Sequence, residues 1–272
     1  MWAQAIARAC AELTAAGVPS PEADARLLAQ LVAGERVQGT PSPQELARYE
    51  ELVAARARRV PLQHLEGTMY FRYLELEARP GVFIVRPETE SVVEAALADI
   101  RALPDPLVAD LCTGSGAIAI SIATESNARV LAVERSADTF ASAALNNARY
   151  GGLVSLVQGD ALEELEEYAG RIDVVVSNPP YVAPWHELSP EVRQDPELAL
   201  FGGGTDGLDL PRQLVARAHL LLRGGGILIM EHGDEQGEAL RAAATECGFV
   251  DVTTGRDLAG RDRWLRARKE RQ

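Results

Sequence analysis

The chain has 272 residues, of which 47% are hydrophobic and 25% are charged, proportions typical of a globular protein with one large domain or one large and one small domain. No apolar run approaches the ~20 residues that a membrane-spanning helix needs, so no membrane protein is expected. The formal net charge of −13 disfavours extended nonspecific binding to the phosphate backbone of a nucleic acid.

Cysteine usage and the first residues of the chain indicate a cellular location. Cys10, Cys112 and Cys247 are far apart and lack the spacing of a disulfide framework or a zinc site. The first segment carries Arg8 and Glu12 between its apolar residues, unlike the uninterrupted apolar core of a signal peptide. We therefore expect a protein of the reducing cytoplasm that holds no metal.

The N-terminal part has the pattern of a small helical bundle. Apolar residues recur every three or four positions in residues 2–16 and in two further segments. Those segments open at Ser20-Pro21 and at Ser42-Pro43, where serine is a favoured N-cap and proline a favoured first helical residue. Three such stripes predict a small bundle.

The part of the chain after Pro87 alternates helices with strands. The strands LVADLC, RVLAVE, SLVQGD, IDVVVS and GILIMEHG are continuous apolar runs, as in a parallel sheet that helices cover on both faces. The last two strand candidates, FVDVTTGRD and RDRWLRARK, are joined by a short turn and predict an antiparallel pair at one edge. The pattern predicts a doubly wound α/β domain.

These patterns divide the chain into three parts. We expect a helical domain over residues 1–66 and an α/β domain over residues 86–272. Between them, residues 67–85 change to aromatic and β-branched runs, TMYFRYLELEA and VFIV, which predict a β-hairpin linker.

A glycine-rich turn follows the first strand of the α/β domain, in the segment DLCTGSGAIAI. Gly114 and Gly116 would let backbone N–H groups approach a ligand at the carboxyl edge of the sheet, just after Asp110. The spacing matches neither the G-x-G-x-x-G of dinucleotide-binding proteins nor the Gly-Lys-Ser/Thr of a P-loop. The turn predicts a nucleotide-like cofactor; a strand-to-helix turn without a ligand is the alternative.

Acidic residues follow the next two strands. Glu134 lies eighteen residues beyond Gly116, where its carboxylate could accept hydrogen bonds from both hydroxyls of a ribose. Dehydrogenases place an acid similarly, so this position does not separate NAD from S-adenosylmethionine. Asp160 could recognise an adenine amino group. The alternatives are a surface glutamate and an ordinary turn aspartate.

The fourth strand ends in Asn178-Pro179-Pro180-Tyr181, the most informative segment of the chain. Neither proline has an N–H, so the ladder of the sheet must stop there and carbonyls are left free. The Asn178 side-chain oxygen and the Pro179 carbonyl could each accept one N–H of a planar target nitrogen. They would turn its conjugated lone pair toward a methyl donor, while Tyr181 covers the flat face of the target.

This chemistry needs no general base, because the nitrogen loses its proton only after methyl transfer. The lack of an obvious catalytic histidine agrees with this interpretation. An ordinary strand-ending turn is the alternative. The position of the segment beside the glycine-rich turn favours a methyltransferase that acts on an amide or amine nitrogen.

The motifs together resemble the PrmC/HemK family of glutamine methyltransferases, which modify peptide chain release factors. The resemblance covers nearly the whole chain and is much more specific than the Asn-Pro-Pro-Tyr segment alone. The matching segments are PLQHLEG (61–67), IVRPETE (84–90), DLCTGSGAIAI (110–120), SNPPY (177–181), GGGTDGLD (202–209), LIMEHG (228–233) and GRDLAGRDRWL (255–265).

The resemblance implies a fold, a reaction and a partner. The fold would be α/β, a class I S-adenosylmethionine-dependent methyltransferase with a Rossmann-like, seven-stranded mixed sheet, a small N-terminal helical bundle domain and a connecting β-hairpin. The donor would be S-adenosyl-L-methionine, leaving S-adenosyl-L-homocysteine. The acceptor would be the glutamine amide in the Gly-Gly-Gln motif of a release factor, and the N-terminal helical domain over residues 1–66 would be a substrate-binding domain that helps to hold this protein. A cytoplasmic monomer without direct nucleic-acid or membrane contacts is expected.

Site residues carry over by position. Asn178, Pro179, Pro180 and Tyr181 would hold the glutamine, with Asn178, Pro179 and Tyr181 at the reacting nitrogen. Arg86 and Glu90 match the family pattern and would support the pocket or pair structurally. The cofactor would contact Cys112, Thr113, Gly114, Ser115, Gly116, Glu134, Asp160, Ala161 and Asn178.

Two residues depart from the pattern of the family. Cys112 stands where glycine is usual, so a positive backbone φ at this position would be strained. Glu134 stands where aspartate is usual, which lengthens the reach to a ribose by one methylene. We expect both differences to be accommodated.

An adenine-amino methyltransferase of DNA or RNA is the main alternative, because its target nitrogen is also planar. Such an enzyme must flip a base and grip phosphates, whereas this chain is acidic and shows no added basic domain. Arg56, Arg58 and Arg59 could form a local basic face, but we expect a solvated helix end. A glutamine methyltransferase of a ribosomal protein and a cofactor-binding module without turnover are further alternatives.

Overall fold

The computed structural model describes residues 1–34 and 37–271. The chain divides into two compact units. The helical unit comprises Met1–Met69, Ala78–Pro80 and Leu188–Gln194, and the sheet unit comprises Tyr70–Glu77, Gly81–Glu187 and Asp195–Gln272. The predicted bounds of the domains at residues 66 and 85 stay a prediction.

Three amphipathic helices form the core of the helical unit, as predicted. Their apolar stripes bring together buried residues that include Trp2, Leu13, Leu28, Tyr49 and Leu52. The Tyr49 hydroxyl also donates a hydrogen bond of 2.9 Å to the Ala25 carbonyl. The helices of the unit are α1 (Trp2–Ala15), α2 (Pro21–Ala33), α3 (Pro43–Ala57) and the short α4 (Leu62–Glu66).

The predicted cap of α3 is present. The Ser42 side chain accepts the backbone N–H of Glu45 at 3.2 Å, and the Glu45 carboxylate accepts the backbone N–H of Ser42 at 2.7 Å. This reciprocal pair satisfies two amides that the first turn of a helix leaves without partners. Ser20 is the N-cap residue of α2, but its side chain makes no capping hydrogen bond.

A cluster of ion pairs, buried at Arg56 and Asp24, joins α3 to α2 and to the segment Leu188–Gln194 of the same unit. The Arg56 side chain donates to the Asp24 carboxylate at 2.7 Å and to the Glu191 carboxylate at 3.0 Å. Arg59 donates two hydrogen bonds to Glu191, at 2.7 and 2.6 Å. Carboxylates therefore pair with Arg56 and Arg59. The expected solvated helix end is wrong for Arg56, which is buried, and of the three arginines only Arg58 is exposed.

We expect Arg56→Met to lower the free energy of unfolding by about 3 to 5 kcal/mol, because it leaves the buried carboxylate of Asp24 without its partner. Arg58→Met changes an exposed arginine of the same segment and should alter stability by less than about 0.5 kcal/mol. Urea denaturation followed by circular dichroism measures both variants. Equal stability of the two would show that the cluster does not stabilise the unit.

The predicted hairpin forms from β1 (Thr68–Phe71) and β2 (Leu74–Glu77). Its turn contains Arg72, whose φ of 50° is left-handed. The run VFIV at residues 82–85 is not a strand, although Val82 and Ile84 are buried. The tight turn pairs β1 with β2, and within the described residues this sheet has no further strand with which residues 82–85 could pair.

The sheet unit is built around seven strands in the order β5-β4-β3-β6-β7-β9-β8. No helix among the described residues is long and apolar enough to cross a membrane. The strands are β3 (Leu107–Leu111), β4 (Arg129–Glu134), β5 (Val154–Gln158), β6 (Ile172–Ser177), β7 (Leu222–Glu231), β8 (Phe249–Arg256) and β9 (Asp262–Lys269), and the helices are α5 (Glu90–Ile100), α6 (Ala117–Glu125), α7 (Ala137–Arg149), α8 (Glu197–Leu200), α9 (Asp209–Leu221) and α10 (Gly237–Glu246).

The direction of the strands matches the prediction of a parallel sheet with an antiparallel pair at one edge. Strands β3 to β7 pair in parallel, while β9 is antiparallel to both of its neighbours, β7 and β8. The last strand in sequence therefore inserts before β8, which becomes the outer strand. All five residues of β3 are buried, as expected for a central strand that is covered on both faces.

The register of the sheet positions the candidate site. Ser177, the last residue of β6, lies beside Leu111 of β3 on one side and Met230 of β7 on the other. Because these strands are parallel, their carboxyl ends reach the same edge of the sheet. The turns that follow β3 and β6 therefore begin side by side.

Candidate active site

The turn after β3 alternates left-handed residues with ordinary ones. Cys112, Gly114 and Gly116 have φ values of 65°, 59° and 85°. The Thr113 amide donates a 2.9 Å hydrogen bond to the Val133 carbonyl, which ties the turn to β4. A Cβ added to Gly114 would meet nothing within 4 Å, so its backbone borders open space. The lack of a side chain at Gly114 therefore lets a bound ligand approach the backbone of the turn closely.

Position 112 does require a positive φ, although it carries a side chain. A left-handed conformation costs an L-residue roughly 1–2 kcal/mol. The Cys112 side chain is partly buried and packs against the main core of the sheet unit. Burial, together with the neighbouring carboxylates of Glu134 and Asp110, raises the pKa of the Cys112 thiol, so it stays protonated.

Asp110 lies beneath the turn and is fully buried. Its Oδ2 accepts a hydrogen bond of 2.5 Å from the Thr113 hydroxyl, which fixes the turn from below. Burial raises the pKa of Asp110 to about 7, although the hydroxyl of Thr113 and the backbone N–H of Ala119 favour its charged form. Asp110 Oδ1 is buried without a hydrogen-bond partner among the residues that the structure describes.

Glu134, at the end of β4, faces the glycine-rich turn. Its Oε2 accepts the backbone N–H of Gly114 at 3.0 Å, and its Oε1 accepts the backbone N–H of Ser136 at 2.8 Å. Burial raises the pKa of Glu134, against the effect of these backbone N–H groups. The longer side chain therefore reaches the turn itself, and each carboxylate oxygen keeps a lone pair for a further donor.

The remaining residues predicted to contact the cofactor lie around the same edge. Asp160 Oδ1 accepts the backbone N–H of Leu162 at 3.0 Å, which makes it a turn residue, and Ala161 beside it is buried. Gly159 donates its backbone N–H to the Glu134 carbonyl at 3.0 Å, so the end of β5 stays close to β4. The buried Ser115 uses its carbonyl to accept a hydrogen bond of 2.9 Å from the Asn146 side chain.

The segment Asn178–Tyr181 continues directly from β6. The Ser177 hydroxyl donates to the Leu111 carbonyl at 2.6 Å, which locks the start of the segment to the end of β3. Pro179 and Pro180 are buried, and Asn178 and Tyr181 are partly exposed. The Asn178 amide donates to the Thr89 hydroxyl at 3.2 Å, so its oxygen is the atom left for another donor.

Two glycines support this segment from outside. A Cβ at Gly202 would lie 2.7 Å from the Pro180 carbonyl oxygen, and one at Gly207 would lie 2.3 Å from the Tyr181 carbonyl oxygen. The Gln236 amide also donates to the Tyr181 carbonyl at 2.8 Å. Gly202 and Gly207 therefore let the segment GGGTDG pass close to the backbone of the candidate site.

Arg86 and Glu90 pair with groups of the sheet unit. Arg86 forms an ion pair with Asp195 and lies 5.0 Å from the centre of the Phe83 ring. The Glu90 carboxylate accepts the backbone N–H of Arg72 in the hairpin turn, at 3.0 Å. These contacts hold the segment before α5 and the hairpin. Their predicted support of the pocket stays a prediction.

Sequence reasoning missed two residues beside Asn178–Tyr181. Thr89, from the turn Pro87–Thr89, accepts the Asn178 amide, and Glu231, the last residue of β7, accepts the Tyr181 hydroxyl at 3.1 Å. Both are buried. The sequence signal for Glu231 was an acidic residue at the end of a continuous apolar strand. From the sequence, we considered this residue only as part of the motif LIMEHG. No group of three or more His, Cys, Asp or Glu within residues 1–34 and 37–271 could hold a metal ion.

The fold is that of the class I S-adenosylmethionine-dependent methyltransferases. A crystal structure of a methyltransferase from Pyrococcus furiosus is similar, with a TM-score of 0.54 and 18% sequence identity, covering 72% of this chain and 89% of that chain. Residues 74–194 match the family "Methyltransferase small domain", and residues 4–67 match "PrmC N-terminal domain". The predicted fold class is therefore confirmed.

Curated relatives narrow the class to one family. The chain is 47% identical to a release factor glutamine methyltransferase of Streptomyces coelicolor, over 97% of this chain and 96% of the relative. It is also 47% identical to the protein of that name from Mycolicibacterium smegmatis, with the same coverage. The chain belongs to the family of release factor glutamine methyltransferases.

We expect Cys112→Val to lower the free energy of unfolding by about 1 to 3 kcal/mol, because a β-branched side chain tolerates positive φ worse than cysteine does. Cys112→Gly should stay within about 1 kcal/mol of the parent, since the relief of strain offsets the lost packing and the added chain entropy. Chemical denaturation measures both. A valine variant as stable as the glycine variant would contradict the assignment of strain to this position.

Proposed function

We propose that this chain transfers a methyl group from S-adenosyl-L-methionine to the side-chain amide nitrogen of the glutamine in the Gly-Gly-Gln motif of peptide chain release factors. The observation that carries the proposal is the adjacency of the two turns. Asn178–Tyr181 and the glycine-rich turn follow neighbouring parallel strands. Where the two turns begin, the Ser177 hydroxyl donates a hydrogen bond to the Leu111 carbonyl. The names of the curated relatives support the substrate.

The residues around the glycine-rich turn fit the cofactor. The backbone of Gly114 borders open space, and the Glu134 carboxylate beside it can accept the hydroxyl groups of a ribose. Cys112, Thr113, Ser115 and Gly116 complete the turn, with Asp160 and Ala161 beside it for the adenine. When bound, S-adenosylmethionine supplies an electrophilic methyl group on a sulfonium.

Asn178 and its neighbours would orient the target. A carboxamide nitrogen is a poor nucleophile because its lone pair is conjugated with the carbonyl. If the Asn178 side-chain oxygen and the Pro179 carbonyl each accept one N–H, the nitrogen is held with its lone pair toward the methyl group. Pro180 and Tyr181 would complete the pocket, and Asn178 would also border the cofactor.

The charge of the chain favours a protein substrate over a nucleic acid. The formal net charge is −13, and the carboxylates of the buried Asp24 and the partly buried Glu191 neutralise Arg56 and Arg59. We accordingly propose a cytoplasmic enzyme that acts as a monomer, without direct contact with nucleic acid or membrane. A glutamine in a ribosomal protein is the second candidate substrate, because the same pocket would accept it.

Incubation with S-adenosylmethionine that carries a labelled methyl group tests the substrate directly. We expect label on the release factor at the Gly-Gly-Gln glutamine, identified by mass spectrometry, and none on DNA, RNA or a release factor whose glutamine is replaced by alanine. In this assay, Asn178→Ala should lower turnover by ~10²- to 10³-fold, because one preorganised acceptor is lost.

The matched control is Asn127→Ala, which removes an exposed asparagine of the sheet unit that the proposal does not use. It should leave turnover unchanged. Label on DNA alone would overturn the protein substrate, and near-normal turnover of Asn178→Ala would overturn the proposed role of that residue.

Glu134→Ala should weaken binding of S-adenosylmethionine about 10- to 100-fold, since a charge-assisted hydrogen bond contributes roughly 1.5–3 kcal/mol. Isothermal titration calorimetry gives the dissociation constant. Glu167→Ala, which removes an exposed glutamate of the same unit, serves as the control for the change in net charge. Equal affinities of the two variants would remove Glu134 from the cofactor site.

A further inference from the structure

Glu231 lies beneath the segment proposed to hold the glutamine. It is the last residue of β7, and its side chain is buried, with 1% exposed. The register pairs Met230 with Ser177, so Glu231 and Asn178 are the next residues along two neighbouring parallel strands. A buried carboxyl at this position requires an explanation, since desolvation of its charge is costly.

Two hydroxyl groups link Glu231 to the candidate site. The Tyr181 hydroxyl donates to Glu231 Oε1 at 3.1 Å. The Thr89 hydroxyl accepts the Asn178 amide at 3.2 Å and itself favours the charged form of Glu231. The other carboxyl oxygen, Oε2, has no hydrogen bond of standard geometry to any residue in the described part of the chain. Glu231 is therefore the group that can accept a hydrogen bond from the Thr89 hydroxyl.

The direction of these hydrogen bonds decides which atom Asn178 presents to a target. An amide side chain can turn either its oxygen or its NH2 group outward, and a hydroxyl group can donate or accept. A carboxylate can only accept. If the Thr89 proton points to Glu231, Thr89 must accept from the Asn178 NH2 group, which leaves the Asn178 oxygen for the N–H of the target.

We propose that Glu231 is a positioning residue for methyl transfer: through Thr89 and Tyr181, its carboxylate orients the Asn178 amide oxygen and the Tyr181 ring toward the target amide. This inference rests on the proposed function. It explains why an acid is buried at the end of an apolar strand. It also explains why Thr89, eighty-nine residues away in sequence, contacts Asn178.

The ionisation of Glu231 gives the proposal a pH dependence. Burial raises the pKa of Glu231 to about 7. The Thr89 and Tyr181 hydroxyls and the Arg263 guanidinium favour its charged form, and Glu88 disfavours it. Below this pH the protonated carboxyl can donate, and the direction of the hydrogen bonds is no longer determined. Turnover should therefore rise as the pH increases through about 7.

The first test compares the parent protein with Glu231→Gln, which keeps the shape but adds a donor. We expect kcat to fall about 10- to 100-fold, the effect of a misoriented catalytic group, with the affinity for S-adenosylmethionine unchanged. Burial also raises the pKa of Asp110 to about 7, so this group can contribute to a change of kcat near the same pH. Only the part of the rise in kcat that is present in the parent and absent in Glu231→Gln therefore reports the ionisation of Glu231. The same kcat and pH profile in both proteins would overturn the proposal.

A second pair of variants remains informative if Glu231→Gln does not fold. Thr89→Ser keeps the hydroxyl and should retain most of the turnover, whereas Thr89→Val keeps the shape without the hydroxyl and should lose about 10- to 100-fold in kcat. A merely steric role of Thr89 predicts that the valine variant is at least as active as the serine variant, and this outcome would contradict the proposal.

A readout that is independent of activity separates this inference from the proposed function. Nitrogen NMR of the Asn178 side-chain amide should show one N–H that is hydrogen-bonded above about pH 7 and released in Glu231→Gln. If the parent does not methylate a release factor, the proposed function fails, and the Asn178 signals still decide the role of Glu231. Signals that are unchanged by Glu231→Gln and by pH would overturn that role.

Discussion

The site depends on the place where hydrogen bonding along β6 stops. Pro179 and Pro180 have no N–H to donate, so the ladder that pairs β6 with its neighbours cannot continue beyond Ser177. The chain must leave the sheet at this point, held to the end of β3 by the Ser177 hydroxyl. The same constraint creates the two polar features of the segment, a partly exposed amide at Asn178 and a series of backbone carbonyls.

Neighbouring residues hold the segment Asn178–Tyr181 in one conformation where it leaves the sheet. The Tyr181 carbonyl accepts a hydrogen bond from the Gln236 side chain. Gly202 and Gly207 have no side chain, so their backbone can lie close to the carbonyls of Pro180 and Tyr181. The buried acids are Asp110, next to the last residue of β3, and Glu231, the last residue of β7, and each accepts a hydrogen bond from a hydroxyl group, Thr113 and Tyr181 respectively. Burial raises the pKa of both, which is an energetic cost concentrated at the candidate site.

The helical unit uses charge differently. Asp24, Arg56, Arg59 and Glu191 neutralise one another at short range, so the arginines that follow one another in sequence do not form a basic surface. This arrangement agrees with the acidic net charge of the chain and with a substrate that is a protein. It also shows that a run of like charges in a sequence gives no reliable sign of a charged surface, because partners come from distant segments.

Local pattern was sufficient for most of the secondary structure, although not for the run VFIV at residues 82–85, which is not a strand. It was also sufficient for the cap at Ser42 and for the two turns that define the edge of the sheet. Those features depend on periodicity, on the missing N–H of proline and on the backbone freedom of glycine, which are properties of neighbouring residues. Tertiary structure alone decided the left-handed φ at Cys112, the insertion of β9 between β7 and β8, and the contact of Glu231 with Tyr181. These depend on which distant segments become neighbours, and burial then determines their protonation and hydrogen bonding.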